Sequence, residues 1–252
     1  MEIYPLRSRL VKHGDSILEA IVAALRRERV NPKNGDIIAV SSKVVSLAEG
    51  RLSDLSKIHP SARAQKLARK YSMEPQFVQL VIDDADRHYS GVKGAILTVK
   101  DGDAVANAGA DQKNSPNKHV IVWPRNLDAS CRRLRSQLER RYGKKIGVVI
   151  VDSTVTPLRL GTIGLALASA GFKPVENLRG RPDLHGRKLR ITRHAVADGL
   201  ASATHLVMGE ANEKIPFVLV RNSPVKVDGR NRSREEMLLP IGDCLYMSNV
   251  HG

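Results

Sequence analysis

Three acidic residues stand where apolar runs end. Asp111 closes Ala104-Val-Ala-Asn-Ala-Gly-Ala-Asp111, Asp152 closes Ile146-Gly-Val-Val-Ile-Val-Asp152, and Glu210 follows a mostly apolar stretch from Ala195 to Gly209. The rest of the chain is basic: 41 Lys and Arg against 26 Asp and Glu, a net charge of +15 over 252 residues. Carboxylates at the ends of strands and helices in such a chain are what a metal-assisted phosphate site needs. The hydroxyls of Ser153 and Thr154 beside Asp152 suit oxygen coordination of Mg²⁺ or Mn²⁺, and the end of a buried strand is where open α/β sheets place ligands. Each position also has a plainer reading. Asp152 closes an Asx-turn, Asp111 belongs to a polar loop, and Glu210 is a solvated residue behind a glycine helix stop.

Other polar groups are placed for anions. Ser41-Ser42-Lys43 ends an apolar segment with hydroxyls, backbone N–H groups and an ammonium, which together can grip a nucleotide phosphate. His13-Gly14-Asp15 precedes a helix and either brings N–H groups to an anion or caps the helix. Gly180-Arg-Pro-Asp-Leu-His-Gly186-Arg-Lys188 is not a Walker A loop, because five residues separate its glycines and Leu189 follows the lysine. The eight histidines form no metallopeptidase pairing, and no Gly-x-Ser-x-Gly elbow is present.

The elements that must position these groups follow from periodicity. Short strands are expected at Ile3–Leu6 and Leu189–Thr192, and longer ones over 36–42, 145–151 and 216–221. Helices are expected from Ile17 to Glu28, Pro60 to Ser72, Phe77 to Asp83, Asp128 to Tyr142, Thr162 to Ala170 and His194 to Met208. A hairpin is expected between Gly91 and Ala108, turning at Asp101-Gly102. This mixture predicts an α/β or α+β fold, in one domain or two intertwined subdomains with a boundary within 112–145.

Composition narrows the partners. A hydrophobic fraction of 42% supports a packed core. No apolar run reaches the length of a membrane span, and Met1–Arg7 does not begin a secretory signal. Two distant cysteines, Cys131 and Cys244, argue for a reducing, cytoplasmic setting. The positive charge attracts polyanions, but an aromatic fraction of 4% is poor for stacking on nucleic acid.

Read together, the segments resemble the coenzyme F-420:L-glutamate ligase family from Val11 to about Asn222. The resemblance rests on His13-Gly-Asp15, Asn34-Gly-Asp36, Ser42-Lys-Val-Val-Ser-Leu-Ala-Glu-Gly-Arg51, Ala106-Asn-Ala-Gly-Ala-Asp111 with Asn114, and Val151-Asp-Ser-Thr154. It continues through Leu184-His-Gly-Arg187, Ala195-Val-Ala-Asp-Gly-Leu-Ala-Ser-Ala203 and Leu206-Val-Met-Gly-Glu210. It implies a two-subdomain α/β ligase fold with mixed and antiparallel sheets, found as a homodimer. It implies a GTP-dependent enzyme that joins L-glutamate to the lactyl carboxylate of the deazaflavin precursor, then adds another by a γ-linkage, releasing GDP and phosphate. Two Mn²⁺ or Mg²⁺ sites are implied, with K⁺ as a monovalent cation. Asp111 and Asp152 would hold one metal, and Ser153 and Glu210 would help hold a second. Val11, Lys12, His13, Gly14, Ser41, Ser42, Lys43, Asn114, Met208, Gly209 and Ala211 would contact the nucleotide. Asp111, Asp152 and Arg159 would be catalytic, while Arg179, Arg181 and Arg187 would hold the anionic substrate.

The chain departs from the family pattern at Val155, Thr156 and Leu158, where many members carry Gly-Arg and an aromatic. It also has Leu47 in place of a lysine and His185 in place of a tyrosine. Two rival readings remain at this level: a nucleic-acid-binding protein using the basic helix around Arg132–Arg141, and a metal-dependent nucleotide hydrolase on the same scaffold.

Overall fold

The computed structural model describes residues 1–113, 115 and 118–250. The chain opens with β1 (Glu2–Leu6), then α1 (Ile17–Arg27), whose first turn is capped by the Ser16 hydroxyl accepting from the Glu19 N–H. β2 (Ile37–Ser41) runs straight into a short α2 (Ser42–Ala48). Next come β3 (Leu52–Asp54), α3 (Ala62–Tyr71), α4 (Pro75–Asp84), and the strands β4 (Arg87–Val92), β5 (Ala95–Lys100), β6 (Asp103–Ala106) and β7 (His119–Ile121). α5 (Leu127–Tyr142), β8 (Gly147–Val155), β9 (Thr162–Phe172), β10 (Val175–Asn177), β11 (Arg193–Ala195), α6 (Val196–Met208), β12 (Phe217–Arg221) and β13 (Val227–Asn231) complete the described strands and α-helices, with short 3-10 turns between and after them.

Six strands form the main sheet in the order β1-β12-β2-β8-β9-β13. Only the β2–β8 pair is parallel; its neighbours are antiparallel. The sheet is buried on both faces, which explains why β2 and β8 read as continuous apolar runs. Ile38, Val40, Val148 and Ile150 pack with Ile21, Leu25, Leu134 and Leu138 of α1 and α5. Ile37, Ala39, Val149 and Val151 pack with Ala197, Leu200, Ala201 and Met208 of α6. This alternation sends successive side chains of one strand to opposite layers.

Residues between β3 and β7 build a smaller lobe with its own apolar clusters. Leu55, Phe77, Val81, Val120 and Val122 form one, and Ala64, Ala68, Tyr71, Val78 and Ile96 the other. β4-β5-β6 is a three-stranded meander and β3 pairs with β7. The fold is therefore mixed α/β with one mixed and several antiparallel sheets. No helix among the described residues is long and apolar enough to cross a membrane.

Three sequence expectations are corrected. The segment 162–170 is not a helix but most of β9, an 11-residue strand paired with β8. Its small residues serve a close helix-on-strand contact: a Cβ on Gly164 would lie 2.3 Å from the Ala201 carbonyl oxygen of α6. Ser202 Oγ donates to the Gly164 carbonyl at 2.9 Å, and Asp198 Oδ1 accepts from the Ala166 N–H at 3.0 Å, closing α6 onto a strand irregularity. The short strand expected at 189–192 lies instead at Arg193–Ala195, paired with β10, so the helix behind it starts at Val196. Asp152 does not end its strand, because β8 continues to Val155 through pairs with β9.

Candidate functional site

The carboxyl ends of the parallel strands β2 and β8 open at the same edge of the main sheet, beside the start of β12. A cleft of about 650 Å³ lies there, lined by Val11, Ser41, Lys43, Leu47, Asp152 and Ser153, by His205 at the end of α6, and by 208–216. The rim is laced by backbone bonds: Ser41 N–H donates to the Pro216 carbonyl at 2.9 Å and Ser8 N–H to the Lys214 carbonyl at 3.0 Å. Gly209 starts the returning segment at φ +73°, and a Cβ there would lie 2.2–2.6 Å from the Glu213 carboxyl group. The positive φ is what favours glycine, because the exposed Glu213 side chain can move aside.

Lys43, in the first turn of α2, reaches the smaller lobe. Its ammonium lies 2.6 Å from Asp111 Oδ2. Asp111 is held by reciprocal backbone bonds with Ile121, both 2.9 Å, and its Oδ1 accepts from Lys113 N–H at 2.7 Å. Asp152, from the main sheet, accepts at Oδ2 from the indole N–H of Trp123 at 2.5 Å and at Oδ1 from Ser153 N–H at 2.8 Å. Burial pushes the Asp152 carboxyl above its ordinary pKa. The Ser153 and Trp123 donors and the Lys43 charge oppose that rise, and Asp111 adds to it. The two aspartates thus feel each other and share the Lys43 charge.

Strand alternation separates the next residue: after Asp152 turns toward Trp123, Ser153 faces the α6 side, where Glu210 sits. Glu210 Oε1 accepts from Thr162 Oγ1 at 2.7 Å and lies 2.9 Å from His205 Nε2, with Lys113 Nζ 3.6 Å from Oε2. Burial alone would raise its pKa, but the Thr162 and His205 bonds and the Lys113 charge together lower it.

The other expected contacts divide by place. Ser41, Lys43, Val11, Met208, Gly209, Glu210 and Ala211 line the cleft, whereas Ser42 is buried beneath it. His13 and Gly14 are tied to the far end of α2 instead: Gly14 N–H donates to the Ala48 carbonyl at 3.1 Å, and the His13 ring packs over Gly50, while Lys12 N–H donates to Asp15 Oδ2 at 3.0 Å. Arg159 lies in the turn between β8 and β9, outside the cleft lining. Arg179, Arg181 and Arg187 lie on the 178–190 loop, bonded to Asn177, Glu176 and Asp183 respectively. Asn114 lies outside the described residues. Trp123, His205, Thr162 and Lys113 were not singled out from sequence. A lone buried tryptophan needing a partner for its N–H was the one available signal for the first.

Among the described residues, no group of three His, Cys, Asp or Glu side chains is close enough to hold a metal ion by itself. The donors nevertheless suit a hard cation. Mg²⁺ is commonly held by one or two carboxylates, with substrate phosphates and water completing its shell. Asp111 and Asp152 supply such a pair, and the Lys43 ammonium on Asp111 shows that their negative charge already holds one cation.

Comparison with known sequences agrees in extent with this architecture. A protein of Methanocaldococcus jannaschii named Coenzyme F420:L-glutamate ligase is 36% identical over 237 residues, 93% of this chain and 92% of its own. Proteins of the same name from Methanopyrus kandleri and Archaeoglobus fulgidus are 39% and 34% identical, covering 88% and 94% of this chain and 86% and 95% of theirs. The profile described as F420-0:Gamma-glutamyl ligase matches residues 5–222, from β1 through β12, and the chain belongs to that family.

Proposed function

We propose that the protein is a GTP-dependent ligase that adds L-glutamate to the deazaflavin coenzyme F-420 precursor. The first addition forms an amide with the lactyl carboxylate and the next a γ-glutamyl linkage. The observation that carries this reading is Lys43 of α2 and Asp152 of β8 lining one cleft, with the Lys43 ammonium on Asp111 of the small lobe and the charges of both residues felt at Asp152.

A carboxylate and an amine do not condense unaided in water. Attack of a precursor carboxylate oxygen on the γ-phosphorus of GTP breaks the bond to the β-phosphate oxygen, giving an acyl phosphate and GDP. The glutamate amine then attacks the acyl carbon, loses a proton, and displaces inorganic phosphate. Mn²⁺ or Mg²⁺, with K⁺ as an accessory ion, supplies neutralisation of charge on the transferring phosphoryl group. Asp111 and Asp152 would hold one divalent ion, and Glu210 with Ser153 would help hold a second. Lys43 shares the task as a point charge, and the returning 208–216 segment narrows the cleft against water. Arg159 and the 178–190 loop arginines offer charge to a phosphodiester with an acidic tail.

The basic helix α5 is less free for nucleic acid than its composition suggests, because Arg132, Arg133 and Arg135 pair with Asp128, Glu49 and Glu139. Exposed Leu158, Leu160 and Ile163 around the β8–β9 turn, with Leu184 and Ile191, support burial against a second copy. Light scattering at working concentration tests the homodimer. Free, unpaired Cys131 and Cys244 support a cytoplasmic setting.

The decisive experiment is mass spectrometry of the deazaflavin product after incubation with GTP, glutamate and Mn²⁺. Mass increases of one glutamyl unit per addition, with matching GDP, are expected. GDP release at full rate without glutamate would instead identify a nucleotide hydrolase.

A further inference from the structure

Trp123 is the chain's single tryptophan, and it is nearly fully buried beneath the site. A buried indole N–H needs an acceptor, but a backbone carbonyl would serve. Here the acceptor is Asp152 Oδ2, at 2.5 Å. The other Asp152 oxygen accepts from Ser153 N–H. Two donors on different oxygens fix the carboxylate plane, while each oxygen keeps a lone pair for the cleft.

Trp123 is itself fixed at both backbone and ring. The Trp123 backbone carbonyl accepts from Arg51 Nε at 2.9 Å. Gly109 lies against the ring, and a Cβ at that position would come 2.3 Å from Trp123 Cε2 and Nε1. Gly109 stands two residues before Asp111. The backbone that delivers one carboxylate from the small lobe therefore rests on the ring that orients the other on the main sheet.

The geometry points to Trp123 as a positioning residue that sets Asp152 relative to Asp111 and so makes the pair competent to hold a divalent cation. This rests on the metal reading of the two aspartates given above. Glycine at 109 is required because the two lobes meet at the indole face. A hydrogen-bonded partner of a metal ligand typically accounts for 10–100-fold in metal affinity.

The test uses the full chain with Mn²⁺ and a non-hydrolysable GTP analogue. Equilibrium dialysis counts bound metal, and emission from the lone tryptophan reports directly on the site. In the wild type, Mn²⁺ with the analogue binds and quenches Trp123 emission saturably. Trp123→Phe keeps most of the ring and removes the donor; its Mn²⁺ affinity is expected to fall about tenfold or more. Its affinity for the analogue in EDTA is expected to stay at the wild-type value, while its melting temperature falls because the smaller ring leaves a buried cavity. Wild-type Mn²⁺ affinity in this variant, or a parallel loss of metal-free nucleotide binding, would overturn the proposal. Should Trp123→Phe not fold, Asp152→Asn retains the fluorophore. Its metal-free emission is expected to shift because the indole loses a charged acceptor, and unchanged emission would overturn the proposal. Absence of Mn²⁺ binding by the wild type is a separate outcome, which overturns the metal reading itself and this proposal with it.

Discussion

Lys43 illustrates how much one side chain carries at this site. It sits 22% exposed at the cleft with its ammonium on Asp111, and its charge also reaches Asp152. Replacing it leaves Asp111 without its ion pair and removes a cation from the proposed phosphoryl path. Lys43→Met is expected to lower kcat for glutamate addition about 100-fold, the scale of losing one preorganised electrostatic group, as measured by product formation at saturating GTP. Glu210 is held differently, by Thr162, His205 and Lys113. Glu210→Gln keeps the shape and weakens the charge, so the Mn²⁺ concentration for half-maximal rate is expected to rise about tenfold. An unchanged metal requirement would remove Glu210 from the second site.

Among the elements, β9 and α6 hold the most exacting contact. Gly164 has an ordinary strand conformation, so its absent side chain is a matter of space alone: the Ala201 backbone lies where a Cβ would go. Gly164→Ala forces α6 off the sheet, and with it the His205–Glu210 end of the cleft. The expected loss is about 1–3 kcal/mol, read as a lower urea midpoint with an unchanged slope. The same contact accounts for Gly164 in β9, and the rest of the strand reads as a continuous apolar run because 166–172 are buried on both faces.

For the whole molecule, the C-terminal segment acts as a clasp. Arg234 donates to the Leu167 carbonyl of β9 at 3.1 Å, to the Asp101 carbonyl at 2.6 Å and to Asp103 Oδ2 at 2.5 Å, joining main sheet and small lobe. Arg234→Ala leaves Asp103 largely buried without its partner, with an expected cost of about 3–5 kcal/mol in chemical denaturation. Burial raises the Asp103 pKa from 3.8 to about 6; Arg234 lowers it, while Asp198 and Asp101 add to the rise. Between those two values the native chain keeps a proton that the unfolded chain has released. Stability contributed by this group therefore falls as pH rises through that window. Asp103→Asn is expected to remove that slope, seen by comparing urea midpoints of the two proteins across the interval.

The amino-acid order alone determined the elements whose apolar pattern is periodic and local. The α1, α3 and α5 helices, the buried runs of β2 and β8, and the hairpin at Asp101-Gly102 all follow from neighbours a few residues apart. It also marked Asp111, Asp152 and Glu210 as acids at the ends of apolar runs, and carried the family resemblance. Tertiary structure decided what those acids meet. Small and apolar residues over 162–170 suit a tight helix as well as a buried strand, and only pairing with β8 and the approach of α6 choose between them. Trp123 touching Asp152, Lys43 touching Asp111 and Thr162 touching Glu210 join separate elements. Periodicity reports which face of an element is buried; the partner across that face is selected by packing, after the chain has closed around its sheet.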